Sequence, residues 1–494
     1  MHPFRLLAAA LLVLGLPLGA VPAVADPPGP PRVLAQAEKV FDKDIDPSAA
    51  PEDATPVLRR LARSLDRLQG EDRERAARML ARPDSKGGDL LGVKYRAPSE
   101  QLCSENVCVH FVRSTSDAPP SSDEAVPPQV QMTSDVFEHV WTRIVDEAGY
   151  RPPLSDHDSE NRGPDHRLDV YLADIGSIGA GYYGFCNSDD PQATESAHPT
   201  VSAYCVLDDD FATDQFGGDP LTSLQVTAAH EFFHAVQFAY DYWEDLWFME
   251  GTAAWAEELV FDEANDNHRY LDGSQLSRPW IPLDSTEGSS TYGSWIFWQF
   301  LTEHFAELDV PDPTIVRDVW QRAEGDTTSM EALRATLVAR GTTFEETYRS
   351  FGVANLHPET FYDEASLFPV SVALTRAMRM TEERPLKRTS AKLAHLSTDY
   401  YRFRADSGLE GRHKLRVRVD MPDLDTGSAA TLVVDRGSGL TTVKPIELDA
   451  KGEGAAGANI TRGQVKAVYV VLTNAGTGDD RESVIAGKAI DLSQ

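Results

Sequence analysis

The chain has 494 residues, 41% of them hydrophobic, and its 46 lysines and arginines against 78 aspartates and glutamates leave a formal charge of −32. That length exceeds one ordinary core, so two or three domains are expected. The charge repels nucleic acid and anionic membrane, which excludes both as partners.

The N-terminus reads as a secretory signal over residues 1–25. Arg5 supplies a positive start, Leu6 to Ala20 an apolar stretch, and Ala23-Val24-Ala25 a small-residue cleavage site. No later stretch reaches the roughly 18 apolar residues of a membrane span, so a secreted, extracellular chain with no membrane span is expected. Residues 26–90 read as an N-terminal helical extension or propeptide. Leu58, Leu61, Leu65 and Leu68, then Ala76, Ala77 and Leu80, recur at helical spacing. Whether that segment masks a site or simply packs on the next domain is left open, with a break expected at Ser85-Lys86-Gly87-Gly88.

From 91 to 378 the pattern is mixed. Val107–Val112 and Leu168–Ile175 read as strands, Val130–Ala148 as a helix, and Gly176–Asp190 as a glycine-rich turn. Val201–Leu207 reads as an edge strand able to hold an extended peptide by main-chain hydrogen bonds. A helix then starts at Asp219 as N-cap with Pro220 behind it, or at a capping box Thr222–Gln225, and runs to about Tyr240. Phe248–Phe261, Tyr292–Phe305, Thr314–Ala323, Ser329–Arg340 and Thr343–Ala354 follow as helices. From 385 to 494, Tyr400–Arg404, His413–Val419, Ala430–Val434 and Ala467–Asn474 alternate as strands of a C-terminal β-sandwich. The four cysteines favour two disulfides, Cys103–Cys108 and Cys186–Cys205, because each closes a short loop, although three pairings are open.

The chemistry concentrates in Ala229-His230-Glu231-Phe232-Phe233-His234 and Trp247-Phe248-Met249-Glu250-Gly251-Thr252-Ala253. His-Glu-x-x-His on a helix puts two imidazoles one turn apart on one face, where both reach one Zn²⁺. A catalytic zinc takes three protein ligands and keeps a fourth position open. Glu250 is the favoured third ligand, with Glu244, Glu257 and Glu258 as competitors. The small residues around Glu250 suit two helices meeting closely. Glu231 falls in the position of a general base toward the attacking water. Glu257 and Asp241 are candidates to orient the ligands. Tyr292 is a candidate to stabilise the oxyanion, as easily a packed aromatic; His268 and His304 are weaker candidates, read as surface residues. Calcium is a second candidate ion at the acidic runs Asp208–Asp210 and Asp262–Asp266, which read more simply as solvated surface.

These two motifs resemble the gluzincin metallopeptidases, the clan of thermolysin and aminopeptidase N. More closely, the chain is similar over roughly residues 100 to 360 to a family of exported bacterial proteins assigned as metalloproteases. The likeness is carried by the His230 motif, the Glu250-Gly-Thr-Ala-x-Trp255 segment and Gly341–Glu346. The resemblance implies an α/β zincin catalytic domain with a mixed sheet above and helices below, and a secreted zinc peptidase acting on protein or peptide. It also implies a catalytic tyrosine ahead of an amphipathic helix, where Tyr292 stands. His234 and Glu250 are closer in sequence than in aminopeptidases, and no counterpart of an amine-binding motif is evident, which leans toward an endopeptidase. Two other classes stay open: an inactive zincin-like binding or adhesion module, and a zinc hydrolase of a non-peptide amide.

Overall fold

The structure is a computed structural model. It describes residues 29–40, 54–86, 93–159, 161–178, 182–194, 196–306, 311–423, 426–437, 441–479 and 481–492. The signal expected at residues 1–25 lies outside them, as does the Gly87-Gly88 break. Among the described residues no helix is long and apolar enough to cross a membrane.

The architecture is mixed α/β. Helices α1 (Pro30–Val40), α2 (Thr55–Ser64) and α3 (Gly70–Met79) come first. Strands β1 (Ser99–Cys103) and β2 (Val107–Val112) form a hairpin, followed by α4 (Pro128–Trp141), β3 (Leu168–Ala173), β4 (Gly184–Asn187) and β5 (Tyr204–Asp208). The sheet order is β1-β2-β3-β5-β4, parallel from β2 through β5 and antiparallel at both edges. The short α5 (Thr213–Phe216) leads into α6 (Pro220–Phe238), and α7 (Leu246–Phe261) packs against α6. The rest of the helical half is α8 (Ser290–Gly293), α9 (Trp295–His304), α10 (Thr314–Arg322), α11 (Ser329–Ala339), α12 (Phe344–Leu356) and α13 (Pro358–Phe361).

The expected edge strand is corrected. The strand at Tyr204–Asp208 lies inside the sheet, and the edge is Gly184–Asn187, within the segment read as a turn. Tyr204-Cys205-Val206-Leu207 is continuously apolar and wholly buried, which is how a strand covered on both faces reads. Four residues entered through glycine give almost no pattern. Two things hold β4 in place: Cys186 and Cys205 are register partners and form one of the two disulfides, the other being Cys103–Cys108.

The sandwich pairs two sheets. One, of order β11-β10-β13-β8-β6, is built from β6 (Arg376–Met380), β8 (Ser397–Ala405), β10 (Ser428–Asp435), β11 (Thr441–Pro445) and β13 (Ala467–Asn474). The other, all antiparallel and of order β12-β9-β14-β7, comprises β7 (Leu386–Leu393), β9 (His413–Asp420), β12 (Glu453–Asn459) and β14 (Arg481–Asp491). Strand β9 alternates buried and exposed residue by residue, so Leu415, Val417 and Val419 meet Phe403, Leu432 and Val470 between the sheets. The outer face of the first sheet, through Tyr400, Val433 and Val471, packs on Val353 and Leu356 of α12.

The N-terminal helices are not a loose arm. Val57, Leu58, Leu61, Leu68 and Leu80 belong to the same core as the sheet and α6. Just beyond α3, the fully buried Arg82 forks onto Asp189 (2.9 and 3.0 Å), donates to Asp156 (2.9 Å) and Asp169 (2.6 Å), and lies over the Tyr204 ring. Removing one partner of such a cluster strands the others as buried charge. Arg82→Met is therefore expected to destabilise the fold by about 3–5 kcal/mol, read as a lower denaturant midpoint at unchanged slope.

Candidate metal centre

Helix α6 starts where an N-cap can satisfy its free N–H groups. Asp219 accepts from the Thr222 N–H at 3.0 Å, with Pro220 at the first position, so the cap is Asp219 and not the Thr222 box. From there the 3.6-residue period turns His230 and His234 onto one face, and α7 brings Glu250 to meet them. One ligand atom from each of the three lies within 4.8 Å of the others. Both imidazole Nε2 atoms sit 3.4 Å from the same Glu250 Oε2. Two ligands of a tetrahedral zinc, bonded at about 2.0–2.1 Å, stand about 3.3–3.4 Å apart.

The donor set fits a metal on a second count. Both Glu250 carboxylate oxygens are buried without a hydrogen-bond partner. A carboxylate stripped of water and left unbonded is costly, and a cation between it and the two imidazoles removes that cost. Two nitrogens and one oxygen is also a donor set that zinc accepts.

Each histidine has an acceptor behind its Nδ1, and that of His234 fixes its tautomer. Gln237 donates its amide N–H to the Met249 carbonyl (2.8 Å) and to Thr252 Oγ1 (3.1 Å), so its oxygen faces His234 Nδ1 at 2.8 Å. His234 Nδ1 must then carry the proton, which turns the unprotonated Nε2 toward Glu250. His230 Nδ1 lies 2.8 Å from Glu257 Oε1, which accepts the ring proton when it is ionised. Burial pushes the Glu257 pKa up, and the contact with His230 opposes that rise. Sequence reading named Glu257 as an orienting residue but missed Gln237, one turn after His234, because a glutamine in a buried helix carries no metal-ligand signature. Gln237→Leu is expected to weaken zinc affinity about 10–100-fold in competition with a chelating dye, with little change in secondary structure.

The other candidates fall elsewhere. Glu244 accepts from the Asp245 and Ser329 N–H groups, and Asp241 pairs with His198 and caps Trp243. Glu258 turns toward His268, which is buried rather than at the surface as expected. His304 stacks on Phe300. Tyr292, in α8, is brought to the centre: its ring lies 6.2 Å from that of His230 and stacks on Tyr270 at 4.8 Å. In the acidic run, Asp208 accepts from the N–H groups of Gly176, Asp210 and Phe211, so its role there is to hold a loop.

Glu231, 3% exposed, lines a cavity of about 50 Å³ together with His230, Tyr292, Tyr183 and Gly184. The edge strand comes this close only through glycine: a Cβ on Gly184 would stand 2.8 Å from Thr227 Cγ2 and 3.0 Å from Glu231 Cγ. On α7, a Cβ on Gly251 would stand 2.2 Å from Ser294 Oγ, so that glycine serves the approach of α9 and not of α6.

Helix α2 packs beside this cavity, against the outer edge of β4. Thr55 Oγ1 accepts from the Cys186 N–H of β4 at 3.0 Å and reaches Glu231 Oε2 at 3.5 Å. Arg59 donates to the Tyr242 and Glu244 carbonyls, and Arg60 lies within electrostatic reach of Glu250 and Tyr292.

No protein-family model matches the chain, and no curated protein matches it. Among solved structures, the pre-peptidase C-terminal domain of a collagenase from Bacillus anthracis is 13% identical, covering 23% of this chain and 93% of that one at a TM-score of 0.17. PliG, a periplasmic inhibitor of g-type lysozyme from Salmonella Typhimurium, is 13% identical and covers 23% of this chain and 98% of that one at 0.15. The family GH115 4-O-methyl-alpha-glucuronidase BtGH115A is 10% identical, covering 70% of this chain and 54% of that one at 0.15. At such TM-scores none of them bears on what this chain does.

Proposed function

We propose that this chain is a secreted zinc-dependent endopeptidase of the zincin type, held in a latent form by its own N-terminal segment. The observation that carries the reading is Glu250, whose two buried, unbonded oxygens stand against the two imidazoles, with Glu231 on the same helix turn. A zinc ion bound there would polarise the scissile carbonyl and acidify the attacking water. His230, His234 and Glu250 hold the ion. Glu231 takes the proton of the attacking water and returns it to the leaving amine. Tyr292 donates a hydrogen bond to the oxygen on which charge develops. The free edge of β4 binds an extended chain through its backbone, at the place where Thr55 now accepts from Cys186. An internal stretch of polypeptide already lies against β4 and reaches Glu231 there, so no free terminus is needed at that edge, which favours endopeptidase over exopeptidase action.

The test is hydrolysis of an unstructured protein such as casein by the zinc-loaded chain, with α2 seated and with it displaced. Cleavage at internal bonds, lost in a Glu231→Gln variant, supports the reading. A zinc-loaded, unmasked chain that cleaves nothing would leave a metal-holding binding module.

A further inference from the structure

We propose that Glu258, His268 and Glu364 form a second metal site, for a divalent transition ion, independent of the His230–His234–Glu250 centre. One ligand atom from each lies within 4.8 Å of the others. Glu258 and His268 are each 6% exposed. His268 Nε2 and Glu364 Oε2 are both buried without a hydrogen-bond partner, and they face each other at 3.5 Å.

That distance is the informative one. A donor and acceptor free to bond would close to about 2.7–3.2 Å. Two ligands of one tetrahedral ion hold off at about 3.3–3.4 Å, and the first centre shows the same spacing at 3.4 Å. Each partner is held in position from behind. The His268 ring is stacked on Trp295 (5.8 Å, 11°) and meets the edge of Phe368 (5.0 Å, 87°). Glu258 Oε2 accepts from the Asn267 side chain at 3.0 Å. Asp262 adds negative charge beside both glutamates, and among the described residues no lysine or arginine pairs with either. One imidazole with two carboxylates suits zinc or a neighbouring transition ion, whereas calcium takes six to eight oxygens.

The ion would tie three pieces together. Glu258 is on α7, the helix that carries Glu250. His268 is in the 3₁₀ segment Asp266–Gly273, which lends Arg269 and Tyr270 to the cleft wall. Glu364 follows α13, on the way to the sandwich. The site is thus a pin for the cleft wall, with no part in the reaction.

The experiment is metal content by plasma mass spectrometry after equilibration with zinc chloride and gel filtration. The wild type is expected to carry about two ions per chain. Glu364→Gln should keep one, Glu250→Ala should keep one, and the combined variant none. His268→Gln, close in size, repeats the Glu364 arm should that variant fold poorly, with circular dichroism confirming the fold. A wild type carrying one ion that Glu364→Gln and His268→Gln retain and Glu250→Ala loses would overturn this site and leave the first intact. An ion kept in Glu250→Ala and lost in Glu364→Gln would uphold this site and sink the other.

Discussion

Glu231→Gln is expected to lower kcat for peptide hydrolysis by about 10²–10⁴-fold while the protein keeps its zinc. The two halves of that result have separate causes. Glutamine has nearly the shape of glutamate, so the cavity beside Gly184 and the helix face carrying His230 and His234 are undisturbed. What is lost is the only function proposed for Glu231, accepting a proton and handing it on. Because Glu231 is not among the three residues whose ligand atoms converge, metal content should not change. The check is a paired measurement of hydrolysis and zinc per chain. A variant that loses zinc as well would mean Glu231 ligates, and one that keeps full activity would remove it from the mechanism.

Unseating α2 is expected to raise hydrolysis by at least about tenfold. Leu58 and Leu61 are fully buried and hold the helix against the core. Replacing a buried leucine by alanine costs about 2–5 kcal/mol, and 1.4 kcal/mol is already a factor of ten in a docking equilibrium. The double variant Leu58→Ala, Leu61→Ala should thus open the groove far more often than the wild type does, freeing the Cys186 N–H and Glu231 from Thr55. Hydrolysis of a short peptide is the readout, with Glu231→Gln in the same background as control. A folded double variant no faster than the wild type would make α2 a permanent wall instead of a removable one.

Much of the centre was legible because its chemistry is local. His230, Glu231 and His234 sit on one helix turn, and the Asp219-Pro220 start announces that helix. Glu250 is favoured over Glu244, Glu257 and Glu258 by its distance from His234 and the small residues around it, and it is the glutamate of the four whose oxygen lies with both imidazoles. The disulfides followed from short loops. What stayed hidden is nonlocal. No property of Thr55 reveals that its hydroxyl meets β4, since the two are far apart in sequence and are brought together by the packing of Val57, Leu58 and Leu61 and by the hydrogen bonds of Arg59 to the Tyr242 and Glu244 carbonyls. Strand β4 itself is too short to show a period, and its neighbour β5 carries the stronger apolar signal for the opposite reason, being covered on both sides. In the sandwich, β6, β7 and β12 escaped notice because Arg376–Met380 and Leu386–Leu393 are interrupted by basic residues with no clean apolar alternation, and the glycines of Glu453–Asn459 hide its extended shape; β11 and β14 were missed as well.

If β4 seats a substrate as proposed, the bond between Cys186 and Cys205 bears on when it can do so. Strand β4 is four residues long, entered through glycine, and pairs on one side only. Its grip on the sheet comes from a few ladder bonds and that one covalent cross-link, placed at a register pair. Kept as two thiols, the cross-link is missing, and the strand that borders Glu231 is held to its sheet by its ladder bonds alone. A chain still surrounded by cellular reductants would therefore have its ligands in place on α6 and α7 and no firm rail to lay a substrate along. On the reading proposed above, oxidation would complete that edge before α2 could be displaced from it.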